Sequence, residues 1–452
     1  MHSQAIYRTE GPHRLSADRG LALVVKLALM VWSVTMLLNG TFIRPRASDS
    51  FVVADWLIIT RVIIGAIGIG LGVYLISKRP LRLGTGGKLV ITYVLMALVS
   101  SLFSDHVHHS IGYWVLLGGA GLLTVGLVSQ FTSIAALSRI ETLYFVVLSF
   151  CVLKDAALSL FAPELHSALT EISEPARLGA GIVPSNRLSI MAAIACWVSL
   201  KFHGGGPRVL LLWALRIILV MVVVMTRSRV SLITLVVGGM VWFWLKHRAS
   251  HIKGMAARFG LVFFLLSALF MLMLMFSCEF TPLMSLLDVI NRGEDFSKTM
   301  SLTGRTDVWA LVLRKITSDP LTAIVGDGYG TSALVLRDLA RSLYFTPRHT
   351  HNTFFEFLLT MGLPGVILCI SIFVYGFKWL RVFGESHAGD TRYLLARNGV
   401  IIFAMILLNC MTEVYIAGKV NFILMALLMY LALLGQTDVI KQHKSVTDTP
   451  VE

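Results

Sequence analysis

The chain has 452 residues, 56% hydrophobic and only 14% charged, with a mean hydropathy of +0.77. Soluble domains carry about 25% charge, so the composition excludes a water-soluble globular protein and implies an all-α, polytopic membrane protein. The formal net charge of +14 does not call for nucleic acid, because lysine and arginine scattered over short loops are explained first by membrane orientation.

Apolar runs near the roughly 20 residues that cross a bilayer number about twelve, centred on 22–38, 56–77, 89–104, 111–128, 142–161, 188–200, 209–225, 230–245, 259–277, 353–376, 399–412 and 420–435. The first follows a polar, charged stretch and is not closed by a small-residue cleavage site, so it is expected to stay as a membrane helix. With the N-terminus inside, the inner segments hold 20 Lys and Arg and the short outer loops 7; both termini are therefore expected in the cytoplasm. This divides the chain into helices 1–9 (1–277), one large outer loop (278–350), helices 10–12 (351–436) and a cytoplasmic tail (437–452). The cysteines Cys151, Cys196, Cys278, Cys369 and Cys410 show no CxxC or metal-ligand spacing and lie mostly within spans, which gives neither disulfides nor zinc.

Along the chain, "SDHVHHS" sets Asp105, His106, His108 and His109 in a short outer loop. The loop lacks a zinc or iron spacing and reads as a polar interfacial turn, with metal binding the lesser alternative. Arginine is then unexpectedly frequent on the outer side: Arg187 in "VPSNRLS", Arg227 and Arg229 in "TRSRVS", and Arg305 in "TGRTDVW". Charge at the bilayer edge is costly and points to function. Converging arginines would form a cationic cavity suited to a diphosphate; Arg44 and Arg46 read instead as partners of lipid headgroups.

Function is expected in the large loop. "TGRTDVWALVLRKITSDP" reads as a helix capped by Thr303, with Asp307 near its N-terminal dipole, Val308, Trp309, Val312, Leu313 and Ile316 on one face, and Pro320 past its end. "VGDGYGTS" permits tight or left-handed backbone, and a short helical pattern follows from Ala333 to Leu343. The loop thus reads as a small helical cap on the bundle.

At the re-entry into the membrane stands "RHTHN", residues 348–352. Arg348 and His349 can anchor a helix end, but a neutral imidazole can also accept a proton from a sugar hydroxyl while arginine holds phosphate. "MGLPGV", with Gly362, Pro364 and Gly365, predicts a kink or break. Glu356 and Glu413 are placed to pair with an arginine or position a substrate. There is no DxD pair, Walker A sequence, GxGxxG or CxxC, which leaves metal-held sugar nucleotides, ATP-driven transport and redox chemistry without support.

Three segments in order, "TRSRVSLITLVVG", "GRTDVWALVLRKITSDPLTAIVGDGYG" and "HNTFFEFLLTMGLPG", resemble the bacterial O-antigen ligase and polymerase superfamily, which includes exopolysaccharide polymerases. The resemblance covers residues from about 180 to 366. It implies a GT-C-like, all-helical membrane glycosyltransferase with one large helical periplasmic loop, acting at the periplasmic face of the inner membrane. Such an enzyme moves a glycan from undecaprenyl diphosphate to an acceptor hydroxyl, inverting and without metal or other cofactor. It further implies His351, Arg305 and Arg229 as catalytic residues. Arg187 is a looser match, its "PSNR" carrying an inserted serine, and joins Arg348, His349, Asn352 and Glu413 as expected substrate-binding residues. The expected partners are the lipid-linked oligosaccharide, an acceptor glycan, membrane lipids, and chain-length regulator and flippase proteins.

The "GRTDVW" segment favours polymerisation of lipid-linked repeats; ligation of a finished glycan to lipid A core is the alternative. A transporter of a lipid-linked or anionic solute is a reading of another class. It is disfavoured because the unusual residues gather on one side and no inverted repeat is visible. An accessory subunit with a degenerate site is disfavoured by the presence of all three segments.

Overall fold

The computed structural model describes residues 12–41, 56–78, 83–161, 185–202, 207–226, 228–248, 305–340, 347–382 and 390–447. Among them the chain is helical, without strands. In order these helices are α1 (Pro12–Thr41), α2 (Trp56–Lys78), α3 (Thr85–Leu102), α4 (Val107–Ser129), α5 (Ile134–Phe161), α6 (Ser185–Ser199), α7 (Pro207–Met225) and α8 (Arg229–Arg248). They continue as α9 (Arg305–Ser318), α10 (Pro320–Val325), α11 (Ser332–Leu339), α12 (Thr353–Gly376), α13 (Trp379–Val382), α14 (Thr391–Cys410) and α15 (Phe422–Thr447).

Among the described residues nine helices are long and apolar enough to cross a membrane: α1 to α5, α7, α12 running on through α13, α14 and α15. The expected span at 230–245 forms a shorter apolar helix, Val230–Leu245. The one at 188–200 becomes α6, only 15 residues long and walled in by protein over nearly its whole length. The expected span 259–277 and Cys278 lie outside the described residues. The other four cysteines are buried and free.

The core sits around α14 and α15, whose described side chains are mostly buried, while α2 and α7 turn Ile59, Ile63, Leu210, Leu211 and Ile217 outward. In a bilayer such exposed apolar faces meet lipid, so they carry no solubility cost. Near one end of the bundle the buried Glu141 of α5 accepts hydrogen bonds from Lys201 Nζ (2.7 Å), Asn398 Nδ2 (3.0 Å) and the Tyr430 hydroxyl. A carboxylate there is tolerable because three donors, one of them a lysine, satisfy it.

At the opposite end α9, α10 and α11 form the cap. Pro320 does more than follow α9: Asp319 accepts from the Leu321 N–H at 3.1 Å and Pro320 opens α10, as proline at the first helical position does. α11 ends at Leu339, short of the expected Leu343, and residues 341–346 lie outside the described residues, as does Thr303.

The expected break in α12 is present, and its cause can be followed bond by bond. Gly362 has φ 67° and ψ −168°, so the Leu363 N–H turns away from the Leu359 carbonyl, and Pro364 has no N–H to offer the carbonyl of Thr360. Both freed carbonyls find donors in the glycine-rich turn: Asp327 N–H reaches Leu359 O at 2.8 Å and Gly328 N–H reaches Thr360 O at 3.2 Å. The Ser100 hydroxyl also donates to Thr360 O. The cap is thereby fastened to the membrane helix through backbone groups that the kink exposes.

Candidate active site

The cap and the bundle meet around the segment 348–352, which enters α12. Asn352 caps that helix: its Oδ1 accepts from the N–H groups of Phe354 (2.9 Å) and Phe355 (3.3 Å), and its Nδ2 donates to Met411 O at 3.1 Å. Asparagine is among the preferred residues at this position, because helix starts leave backbone donors unpaired. Its side chain is thus used in holding the segment, with both amide atoms engaged.

Directly before the cap, His351 adopts φ 54°, the single positive φ outside glycine among the described residues. Such backbone needs support from its surroundings. Two contacts to Thr350 provide it: Thr350 N–H donates to Glu356 Oε2 at 3.0 Å, and Thr350 O accepts from Trp309 Nε1 at 2.8 Å. Trp309 also stacks on Phe355, with ring centroids 5.2 Å apart and planes 7° from parallel.

Around His351 the polar groups converge from four elements. Its Nδ1 lies 3.9 Å from Glu413 Oε2 and has no hydrogen-bond partner among the described residues. The other Glu413 oxygen accepts from Asn186 Nδ2 of α6 at 2.8 Å and lies 3.9 Å from Nη2 of Arg305. Arg305, the first residue of α9, is fixed in turn by Nη1 donating to Thr412 O at 3.0 Å. His349 packs against His351 with ring centroids 4.1 Å apart, and its Nδ1 accepts from the His351 N–H at 3.3 Å.

Burial pushes the His351 imidazolium down to about 4, and the charge on Arg305 pushes the same way. His349 falls to about 3, through burial first and then His351, Arg187, Lys419 and Arg305. Both rings are therefore neutral near pH 7. Glu413 moves the other way, its carboxyl raised by burial against the opposing pull of Arg305, Asn186 and Arg187.

The structure thus brings together His351, His349, Arg305, Glu413 and Asn352, with Arg187 in the first turn of α6 close enough to act electrostatically on His349 and Glu413. Arg187 Nε is buried without a hydrogen-bond partner among the described residues. Arg348 is exposed at the rim. Arg229 opens α8, but its side chain and the whole of Arg227 lie outside the described residues. Asp105 and His106 face a small separate cavity shared with Lys315, Asp327 and Asp338, and Ser104 and Ser110 of the same turn bind the carbonyls of Asp327 (2.6 Å) and Tyr329 (2.9 Å).

Trp309 as a clamp, Asn186 as a Glu413 partner and Glu356 as the support for Thr350 emerge only in the folded chain. The first had a signal in the "GRxxxW" spacing; the other two depend on contacts the sequence does not spell out.

A neutral imidazole with a free nitrogen beside a carboxylate, ringed by guanidinium groups, can take a proton from a hydroxyl while holding a polyanion. Residues 214–370, which contain Arg305 and His351, match the family described as O-antigen ligase. No curated protein matches the chain.

Proposed function

Because this chain carries the O-antigen ligase domain across residues 214–370 and so belongs to the O-antigen ligase and polymerase superfamily, we propose that it transfers a glycan from undecaprenyl diphosphate to an acceptor hydroxyl at the periplasmic face of the inner membrane. The reading extends to polymerisation, one lipid-linked repeat being added to another. The observation that carries it is the unpartnered His351 Nδ1 beside Glu413, with Arg305 pinned to the same 412–413 segment.

In the proposed step the acceptor hydroxyl attacks the anomeric carbon from the side opposite the diphosphate. The new C–O bond forms as the bond to phosphate oxygen breaks, the electron pair leaves with the lipid diphosphate, and the hydroxyl proton passes to His351. Arg305, together with Arg187 and Arg229, offsets the charge that grows on the leaving group. Burial, the larger cause of the His351 depression, stays in place when the diphosphate arrives, but the Arg305 charge that adds to it is offset, so the base strengthens where the substrate is bound. Glu413 orients the imidazole and stabilises the imidazolium as it forms. Arg348 and His349 line the approach. The segment 278–350 serves as the periplasmic cap, with both chain termini in the cytoplasm.

The test is transfer by purified protein, with chelator present, from an undecaprenyl diphosphate oligosaccharide to either a second lipid-linked repeat or a lipid A core. A ladder on the lipid diphosphate that disappears in His351→Ala supports polymerisation. A single transfer to lipid A core assigns ligation instead, and full activity in His351→Ala removes the histidine from the mechanism. No product with either acceptor, alongside uptake of lipid-linked glycan by vesicles containing this protein alone, would put a transporter in its place.

A further inference from the structure

The same three side chains that surround the reacting position form a ligand set of another kind. One ligand atom from each of His349, His351 and Glu413 lies within 4.8 Å of the others. We propose that these residues bind a borderline divalent transition ion, zinc in type, and that its capture shuts the site down; the shutdown, though not the binding, rests on the transfer reading above.

Donor chemistry selects the ion. Two imidazoles and one carboxylate suit zinc, copper or nickel, whereas magnesium and calcium require oxygen-rich shells that this site does not offer. A tetrahedral ion with bonds of about 2.0–2.1 Å needs its ligands roughly 3.4 Å apart, so the present spread closes by little more than an ångström. The side chains have room to do this: His351 is 33% exposed and Glu413 15%, and the open side leaves a coordination position for water.

Two further observations point to a ligand. His351 Nδ1 is shielded from solvent yet bonded to nothing among the described residues, and the Glu413 oxygen not facing it is already held by Asn186 at 2.8 Å, the kind of outer hydrogen bond that orients a metal-binding carboxylate. Arg305, Arg187 and Lys419 oppose a cation, which limits affinity and is why an ion bound here is an inhibitor that departs rather than a resident group. An ion on His351 takes the lone pair that the acceptor proton needs.

The experiment titrates Co2+ into tag-free, full-length protein in detergent at pH 7 and follows the visible bands of a low-coordinate cobalt site, then displaces cobalt with Zn2+. One saturable site per chain is expected, weakened at least about tenfold in His349→Ala and in Glu413→Gln and abolished in His351→Asn, each variant first shown to elute as wild type does. His106→Ala/His108→Ala should leave it unchanged. Absence of a saturable site, or binding untouched by the three replacements, overturns the proposal. In parallel, Zn2+ should slow transfer and chelator restore it. Transfer that is indifferent to bound Zn2+ overturns the shutdown alone, and lack of transfer without metal counts against the enzymatic reading while the cobalt spectrum still decides the ion site.

Discussion

Trp309 and Thr350, 41 positions apart, are joined by a hydrogen bond of 2.8 Å from the indole N–H to the backbone carbonyl. This bond ties the first turns of α9, where Arg305 begins, to the strained residue pair that presents His351. The two sides of the site, anion holder and base, are thereby set at a fixed separation. Trp309→Phe keeps the stacking on Phe355 and loses the bond, for which a cost of about 0.5–1.5 kcal/mol is expected. Trp309→Ala loses both, and misplacement of reacting groups by an ångström costs about 100-fold. Initial rates of transfer should therefore fall a few-fold in the first variant and about 100-fold in the second. Equal rates in the two variants would show that the stacking is dispensable, and wild-type rates in both would show that the bond is dispensable as well.

Glu356 supports the same pair from the other side by accepting the Thr350 N–H at 3.0 Å. Glutamine in its place still offers a carbonyl oxygen, whereas alanine leaves a buried donor unpaired at a cost of about 1–3 kcal/mol. The expected outcome is near-normal kcat in Glu356→Gln and a kcat loss of at least about tenfold in Glu356→Ala, with the donor KM little changed because the phosphate-holding arginines stay where they are. A large loss in the glutamine variant would mean that the charge itself acts in the reaction.

How much of this could be read beforehand varies with the physics. Membrane spans were legible because burial in lipid demands long apolar runs, and α2, α4 and α12 appear close to their expected bounds. α6 departs because protein surrounds it, so the requirement for bilayer length does not apply. The break at Gly362 and Pro364 was legible from residue chemistry, but the donors that repair it, Asp327 and Gly328, come from a turn 32 or more positions earlier, and only the folded cap brings them there. Arg305 stood out as costly charge at a membrane edge, and His351 as an imidazole at the point of re-entry beside the "HN" pair. Asn186 and Glu413 touch across 227 positions, and nothing local in "VPSNRLS" marks the asparagine as a carboxylate partner. By its place after an apolar helix Pro320 reads as a stop; Asp319 just before it makes it a start.

Acid should act on this site through its histidines. His351 and His349 are held at about 4 and 3 in the folded chain, against about 6.5 in the unfolded one. Between those values the unfolded chain binds protons that the folded site refuses, so stability is unaffected above pH 6.5 and is lost as pH falls toward 4 and 3. Melting temperature in detergent should drop across that window, and His349→Gln should reduce the drop. The kcat/KM profile, which reports the free enzyme, should stay level down to about pH 5 and fall below it. An acid limb centred near 6.5 would mean that the base is not His351 in this environment.

Gly326 is the joint on which the cap turns. Its φ is +76°, and a Cβ there would run into the backbone of Thr360 and Met361, the stretch whose carbonyls the turn must reach. Alanine meets both a strained backbone and a clash with main chain, so Gly326→Ala should destabilise by about 1–3 kcal/mol, with loss of the Asp327 and Gly328 bonds to α12. Hydrogen exchange at those two amides should rise while that of α14 stays protected. Unchanged exchange would show that the turn can shift without letting go of α12.

Arg305 and Glu413 share a boundary, with Nη2 and Oε1 3.9 Å apart and both facing His351, yet they are expected to fail in different ways. Arg305→Ala removes charge that meets the diphosphate in the ground state and more strongly as the bond breaks, so donor KM rises and kcat falls together. Glu413→Gln leaves a neutral side chain that can still bond Asn186 but no longer stabilises an imidazolium, so kcat falls by about 10- to 100-fold while donor KM holds or improves, a negative charge having left the anion site. Because the two residues act on the same proton and the same leaving group, their effects should not add: the double variant should lose less than the product of the single losses. Steady-state kinetics of the four forms measures this directly. Additive losses would mean that Arg305 and Glu413 work at separate steps, and a rise in donor KM in Glu413→Gln would place the carboxylate on the sugar instead of beside the histidine.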